Sequence, residues 1–100
     1  MNLGSMGFND DSSAGDATIT NEIGLIAFNN TSGAGTSAIT NGGGGSGSTT
    51  FNDMSSAENA EITNLVGGST IFDENSTVAN ATILNLEQLR STEMLERETP

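Results

Sequence analysis

Four phenylalanines stand at positions 8, 28, 51 and 72, spaced 20, 23 and 21 residues apart, and each opens the same fourteen-residue pattern. A serine follows each by four residues (Ser12, Ser32, Ser55, Ser76) and a small apolar residue by six (Ala14, Ala34, Ala57, Val78). Alanine or serine follows by nine (Ala17, Ser37, Ala60, Ala81), isoleucine by eleven (Ile19, Ile39, Ile62, Ile83) and asparagine by thirteen (Asn21, Asn41, Asn64, Asn85). The unit reads F-[ND]-[DNE]-x-S-x-[AV]-x-x-[AS]-x-I-x-N and takes no insertion. All length variation falls in the connectors 22–27, 42–50 and 65–71. A fixed unit joined by variable links is the signature of a repeat fold, in which each unit buries its apolar face only against its neighbours.

Local patterning says what the unit is. Ala60, Ile62 and Asn64 alternate with Glu61 and Thr63, and Ala81, Ile83 and Asn85 with Thr82 and Leu84. A period of two means a strand with one buried face. The segments 48–51 and 69–72, rich in Ser, Thr, Ile and Phe, are β-like as well. A third short extended piece is expected at 55–57. Stacking then places Phe on Phe and Ile on Ile at a spacing of roughly 4.8 Å. The predicted fold is an all-β parallel β-solenoid of about four coils, right-handed by the default hand of parallel crossovers, and about 19 Å tall at that spacing. The Asn column fits two roles: a ladder of bonded amides along the axis, or turn residues suited to the left-handed region. The Ser column reads as a turn residue chosen for small size in preference to a second ladder.

The chain changes character after Asn85. Residues 86–98 contain no glycine and many helix formers, and Asn85 with Gln88 fits a capping box. A short C-terminal α-helix or tail over 86–100, lidding the last coil, is expected. Residues 1–7 read as a leader or cloning scar with no amphipathic period to lid the first coil, and 8–85 as the repeat domain. A repeat starting almost at once suggests a fragment of a longer array.

Composition narrows function. Gly 13, Ser 12, Thr 13 and Asn 12 make up 50 of the 100 residues, and the hydrophobic share is 33%, too small for a thick two-layer core. His, Cys, Trp, Tyr and Lys are absent, which removes thiol, imidazole and Schiff-base chemistry and His/Cys zinc sites. Net charge is −11, with both basic residues, Arg90 and Arg97, near the C-terminus. Phosphate binding needs Lys or Arg, so neither nucleic acid nor an anionic membrane is an expected partner. No stretch has the length or apolarity of a membrane span.

The segments 8–21 (FNDDSSAGDATITN) and 51–64 (FNDMSSAENAEITN) resemble the F-x-[DN]-x-S-[ST]-A-G-x-A-x-I-x-N repeats of large bacterial surface and secreted β-helix proteins of the autotransporter-passenger or adhesin-like type. The resemblance covers 8–85. It implies an extracellular stalk or display scaffold and an extracellular or cell-surface location.

Chemistry-bearing residues are few. Asp10, Asp53 and Glu74 share one repeat position, and Asp73 stands where the other repeats carry Asn. Stacked acids suit Ca²⁺, but Asn30 interrupts this column and solvated surface acids are the preferred reading. Paired carboxylates also serve glycosidases, yet no basic or aromatic residue accompanies them in the repeats beyond the four Phe. The run 42–45 lacks the G-K-[ST] ending of a phosphate loop and reads as a flexible connector. Thr18-Ile19-Thr20 is a T-x-T triplet of the ice-binding kind, which the other repeats do not keep. No catalytic, cofactor-binding or metal-binding residue is assigned. The expected role is a non-enzymatic structural or adhesive module, with an extracellular protein or glycan as partner. The alternative is a small self-associating solenoid, a dimer through coil ends or the C-terminal helix. A carbohydrate-active β-helix enzyme ranks third.

Overall fold

In the computed structural model, which describes residues 2–86, the chain winds through eight four-residue strands. They are β1 (Ser5–Phe8), β2 (Thr18–Asn21), β3 (Leu25–Phe28), β4 (Ala38–Asn41), β5 (Ser48–Phe51), β6 (Glu61–Asn64), β7 (Ser69–Phe72) and β8 (Thr82–Asn85). Odd strands form one parallel sheet, β1-β3-β5-β7, and even strands a second, β2-β4-β6-β8. Two strands per turn of the chain, repeated four times, make a parallel β-solenoid of four coils. The third extended piece is a single-residue bridge column, Ser13, Gly33, Ser56 and Thr77.

Register follows the repeat. Phe8, Phe28, Phe51 and Phe72 are directly paired, as are Ile19, Ile39, Ile62 and Ile83. The Phe rings stack with centroids 4.6, 4.7 and 4.7 Å apart and planes within 6° of parallel. Phe28, Phe51, Ile26, Ile39 and Ile62 are fully buried, with Ala34, Ala57 and Ala60 filling the corners. The end rings, Phe8 and Phe72, are half-buried, and each has a described coil on one side only.

Two tight turns shape each coil. In the first, 9–12 and its equivalents, the Ser N–H donates to the carbonyl three residues back at 3.0–3.1 Å. In the second, 14–17 and its equivalents, the closing bonds are 3.0–3.2 Å. The second residue of every turn is left-handed: Asp10, Asn30, Asp53 and Glu74 in the first (φ 56–58°), Gly15, Gly35, Glu58 and Ala79 in the second (φ 52–63°). Asp and Asn tolerate this region better than other side chains, and Gly best of all.

The connector side is closed by glycine. Gly24, Gly47 and Gly68 precede β3, β5 and β7, and a Cβ on any of them would collide with the backbone oxygen of Gly4, Asn21 or Asn41 respectively. The run 42–45, expected as a flexible connector, is packed: Gly43 N–H donates to Val66 O at 3.0 Å, and Gly45 lies against Ile23.

The expected C-terminal helix is corrected. All described elements are strands, so the fold over 2–86 is all-β. Asn85 is no helix cap; it ends β8, its Oδ1 accepts from Asn64 Nδ2 at 2.7 Å, and Leu86 N–H continues the coil by donating to Asn64 O at 2.7 Å. The rest of that expectation, over 87–100, lies outside the described residues. At the other end the strands begin at Ser5, before the expected boundary at residue 8. Asn2 sits on the first coil, its N–H bonded to Thr20 O at 2.6 Å. That coil therefore has a partial cover that residues 1–7 were not expected to supply.

Candidate functional surfaces

Strands β2, β4 and β6 point Ile and then Asn inward, so Asn21, Asn41 and Asn64 lie buried beside the Ile stack. The amides form a continuous ladder. Asn2 Nδ2 donates to Asn21 Oδ1 (3.0 Å), Asn21 to Asn41 (2.9 Å), Asn41 to Asn64 (2.9 Å) and Asn64 to Asn85 (2.7 Å). The second amide hydrogen also finds an acceptor: Leu25 O for Asn2 and Ser48 O for Asn21. Thr49 and Thr70, which replace Met6 and Ile26 on the inner face of the odd sheet, donate to Asn41 and Asn64 Oδ1 at 2.8 and 2.9 Å. Asn41 has both amide hydrogens and both acceptor sites engaged, and these bonds offset the cost of burying the amide and leave it nothing with which to hold a ligand. Of the two roles read for this column, the bonded ladder is the one found.

A second Asn column lies outside, just after each Phe, and runs the opposite way. Asn29 Nδ2 donates to Asn9 Oδ1 and Asn52 Nδ2 to Asn29 Oδ1, both at 2.9 Å. Asp73, the fourth member, has no N–H to give Asn52. The sequence analysis noted this position only for the Asp73 that replaces its Asn; three asparagines at one repeat position were the signal for a second ladder.

Two of the acids, Asp53 and Glu58, have specific work at the turns. Asp10 N–H donates to Asn30 Oδ1 and Asn30 N–H to Asp53 Oδ2, both at 2.9 Å, and Gly35 N–H donates to Glu58 Oε1 at 2.8 Å. In each case the left-handed residue of one coil caps the left-handed N–H of the coil before it. Glu58 also lies where a Cβ on Gly33 would be. Among the described residues no three acids converge to hold a metal ion, because Asn30 separates Asp10 from Asp53.

Serine acts locally. Ser32 Oγ donates to Asn29 O and Ser76 Oγ to Asp73 O, both at 2.7 Å, closing their own turns. Ser37 Oγ and Ser55 Oγ are buried without a partner.

The outer faces carry aligned columns. On the even sheet one column reads Thr20, Thr40, Thr63, Leu84 and the other Thr18, Ala38, Glu61, Thr82. The T-x-T pair is thus confined to one coil, with Glu61 interrupting the face. On the odd sheet the outward residues are Ser5, Leu25, Ser48 and Ser69, with Gly7, Ala27, Thr50 and Ile71, all uncharged. No described helix is long and apolar enough to cross a membrane. No protein-family model, curated protein or solved structure matches the chain.

Proposed function

We propose that the chain is a non-enzymatic structural or adhesive repeat module of an extracellular or surface β-solenoid protein. The observation that carries this reading is that the buried polar column and two of the turn acids hold coil to coil. The buried amides bond to one another, and Asp53 and Glu58 accept turn N–H groups. The extracellular setting is supported by the likeness of the repeat to those of bacterial surface proteins. A second reading, self-association without a specific ligand, is favoured by the half-buried Phe8 and by the outer edge of β1, which pairs with no described strand.

The test takes the full chain alongside the same chain held unfolded by denaturant as a control, on an array of glycans and extracellular-matrix proteins and on a panel of polysaccharide substrates. An adhesive module gives saturable binding that the control lacks, and a purely structural one gives none. Substrate turnover by the folded chain that the control loses overturns the proposal.

A further inference from the structure

An asparagine is chemically least secure when glycine follows it, because glycine puts no side chain in the way of its own nitrogen and leaves the backbone free to turn. The chain holds one such pair, Asn41–Gly42. Every other rung of the inner ladder is followed by a bulky side chain: Leu3 after Asn2, Glu22 after Asn21, Leu65 after Asn64 and Leu86 after Asn85. The exception is the middle rung, and three further glycines, Gly43, Gly44 and Gly45, continue it.

Position 42 admits only glycine. Its φ is 85°, and a Cβ there would stand 2.5 Å from Gly68 N and 2.8 Å from Val66 O. Packing of the connector 65–71 on the connector 42–50 thus forces the labile pair on the sequence.

The fold disarms this pair. Deamidation needs Gly42 N to lose its proton and attack Asn41 Cγ. In the structure that N–H donates to Asn21 O at 2.9 Å. The Asn41 amide is held at both ends. Its Nδ2 donates to Asn64 Oδ1 at 2.9 Å and to Thr70 Oγ1 at 3.4 Å, and its Oδ1 accepts from Asn21 Nδ2 at 2.9 Å and from Thr49 Oγ1 at 2.8 Å. Asn41 is fully buried, which keeps water and hydroxide from Cγ. Every one of these partners belongs to another coil, so the restraints lapse together when the stack opens.

We propose that Asn41–Gly42 is a spontaneous deamidation site that the assembled ladder keeps silent and that opening of the stack at coils 2 and 3 exposes, so that an opened chain loses with time the ability to refold. In the open chain Gly42 N gives its proton to hydroxide and bonds to Asn41 Cγ. The Cγ–Nδ2 bond breaks, and Nδ2 leaves as ammonia with a proton taken from water. Water then opens the cyclic imide to aspartate or isoaspartate, with no oxidant or reductant involved. Neither product fits the ladder. A carboxylate has no N–H to give Asn64 Oδ1, and residues 2–86 contain no base to pair with its charge. Isoaspartate adds a methylene to the main chain and displaces Gly42 from its place against Val66 and Gly68. The inference is independent of whether the module is adhesive or purely structural.

The test incubates the full chain at mildly alkaline pH, one sample folded and one in guanidinium, and follows conversion at each asparagine by peptide mapping and mass spectrometry. In guanidinium Asn41 is expected to convert ahead of the other ladder asparagines. In the folded sample its rate is expected to be lower by about a hundredfold or more, in proportion to the small open fraction. After dilution of the denaturant, the refolding yield by far-UV circular dichroism should fall in step with conversion, and the refolded species should carry Asn41 intact. Asn41→Asp should fail to refold under the same dilution. Equal conversion rates in the two samples, a refolded species that carries the converted residue, or an Asn41→Asp chain that melts like the unaltered protein overturns the proposal.

Discussion

Phe51→Ala is expected to remove a large part of the stability of the fold. Phe51 is fully buried and lies between two rings, with centroids 4.7 Å from both Phe28 and Phe72. Truncating a buried Phe costs roughly 3–5 kcal/mol through lost burial and the residual cavity. Each aromatic pair adds about 0.5–1.5 kcal/mol beyond area, which puts this site in the upper part of that range. A 100-residue domain holds about 5–15 kcal/mol in all. Phe72→Ala is the internal control: its ring is half-buried and has one described stacking partner, so its loss should be about half as large. The coils contact only their neighbours, so a defect in the middle also uncouples the two halves of the stack. Urea titration followed by far-UV circular dichroism measures both variants, with the slope reporting whether unfolding stays a single transition. A loss under about 1 kcal/mol for Phe51→Ala, below the range for any buried Phe, or a larger loss for Phe72→Ala, refutes the stacked-ring account.

Ala79→Gly should stabilise the protein by about 1 kcal/mol, because Ala79 is left-handed (φ 55°) where Gly15 and Gly35 stand in the first two coils; an unchanged or lower Tm contradicts this. Asp73→Asn restores the missing amide donor beside Asn52 and should add about 0.5–1 kcal/mol, measured by the same urea titration. Ser37→Ala should be neutral or stabilising by up to about 1 kcal/mol, since it removes a buried hydroxyl without a partner, whereas Ser32→Ala, which loses a bonded one, should cost about 1 kcal/mol. Thermal stability should rise with NaCl, because residues 2–86 carry nine carboxylates and no basic residue; a melt that falls with salt would mean that bound cations or ion pairs hold these acids.

The Phe and Ile columns were readable because burial with a period of two leaves a plain trace, and the equal spacing within the unit already implied the observed register. What escaped was conformational rather than hydrophobic. Gly4, Gly24, Gly47 and Gly68 each lie four residues before a Phe, a column as regular as any other. Past Gly4 it lies in the connectors 22–27, 42–50 and 65–71, whose differing lengths mask the column, yet three of these glycines are needed where one coil's backbone presses on the next. The left-handed turn positions were obscured by Glu58 and Ala79, which occupy places that other repeats give to Gly. Asn2 was overlooked as the fifth rung of the inner ladder because no Phe or Ile precedes it to mark a repeat. Asn85 misled in the other direction: a residue suited to begin a helix is, by its column, the last described rung of that ladder.

The central claim is that successive repeats stack in parallel, each on the next and in register. Solution NMR of the full chain with methyl-labelled isoleucine tests it most directly. The register predicts nuclear Overhauser contacts between Ile19 and Ile39, Ile39 and Ile62, and Ile62 and Ile83. Contacts that skip a coil should be absent, since Ile19 and Ile62 are about 9.6 Å apart at two strand spacings. Strong contacts between Ile19 and Ile62, or none between adjacent pairs, would contradict the solenoid.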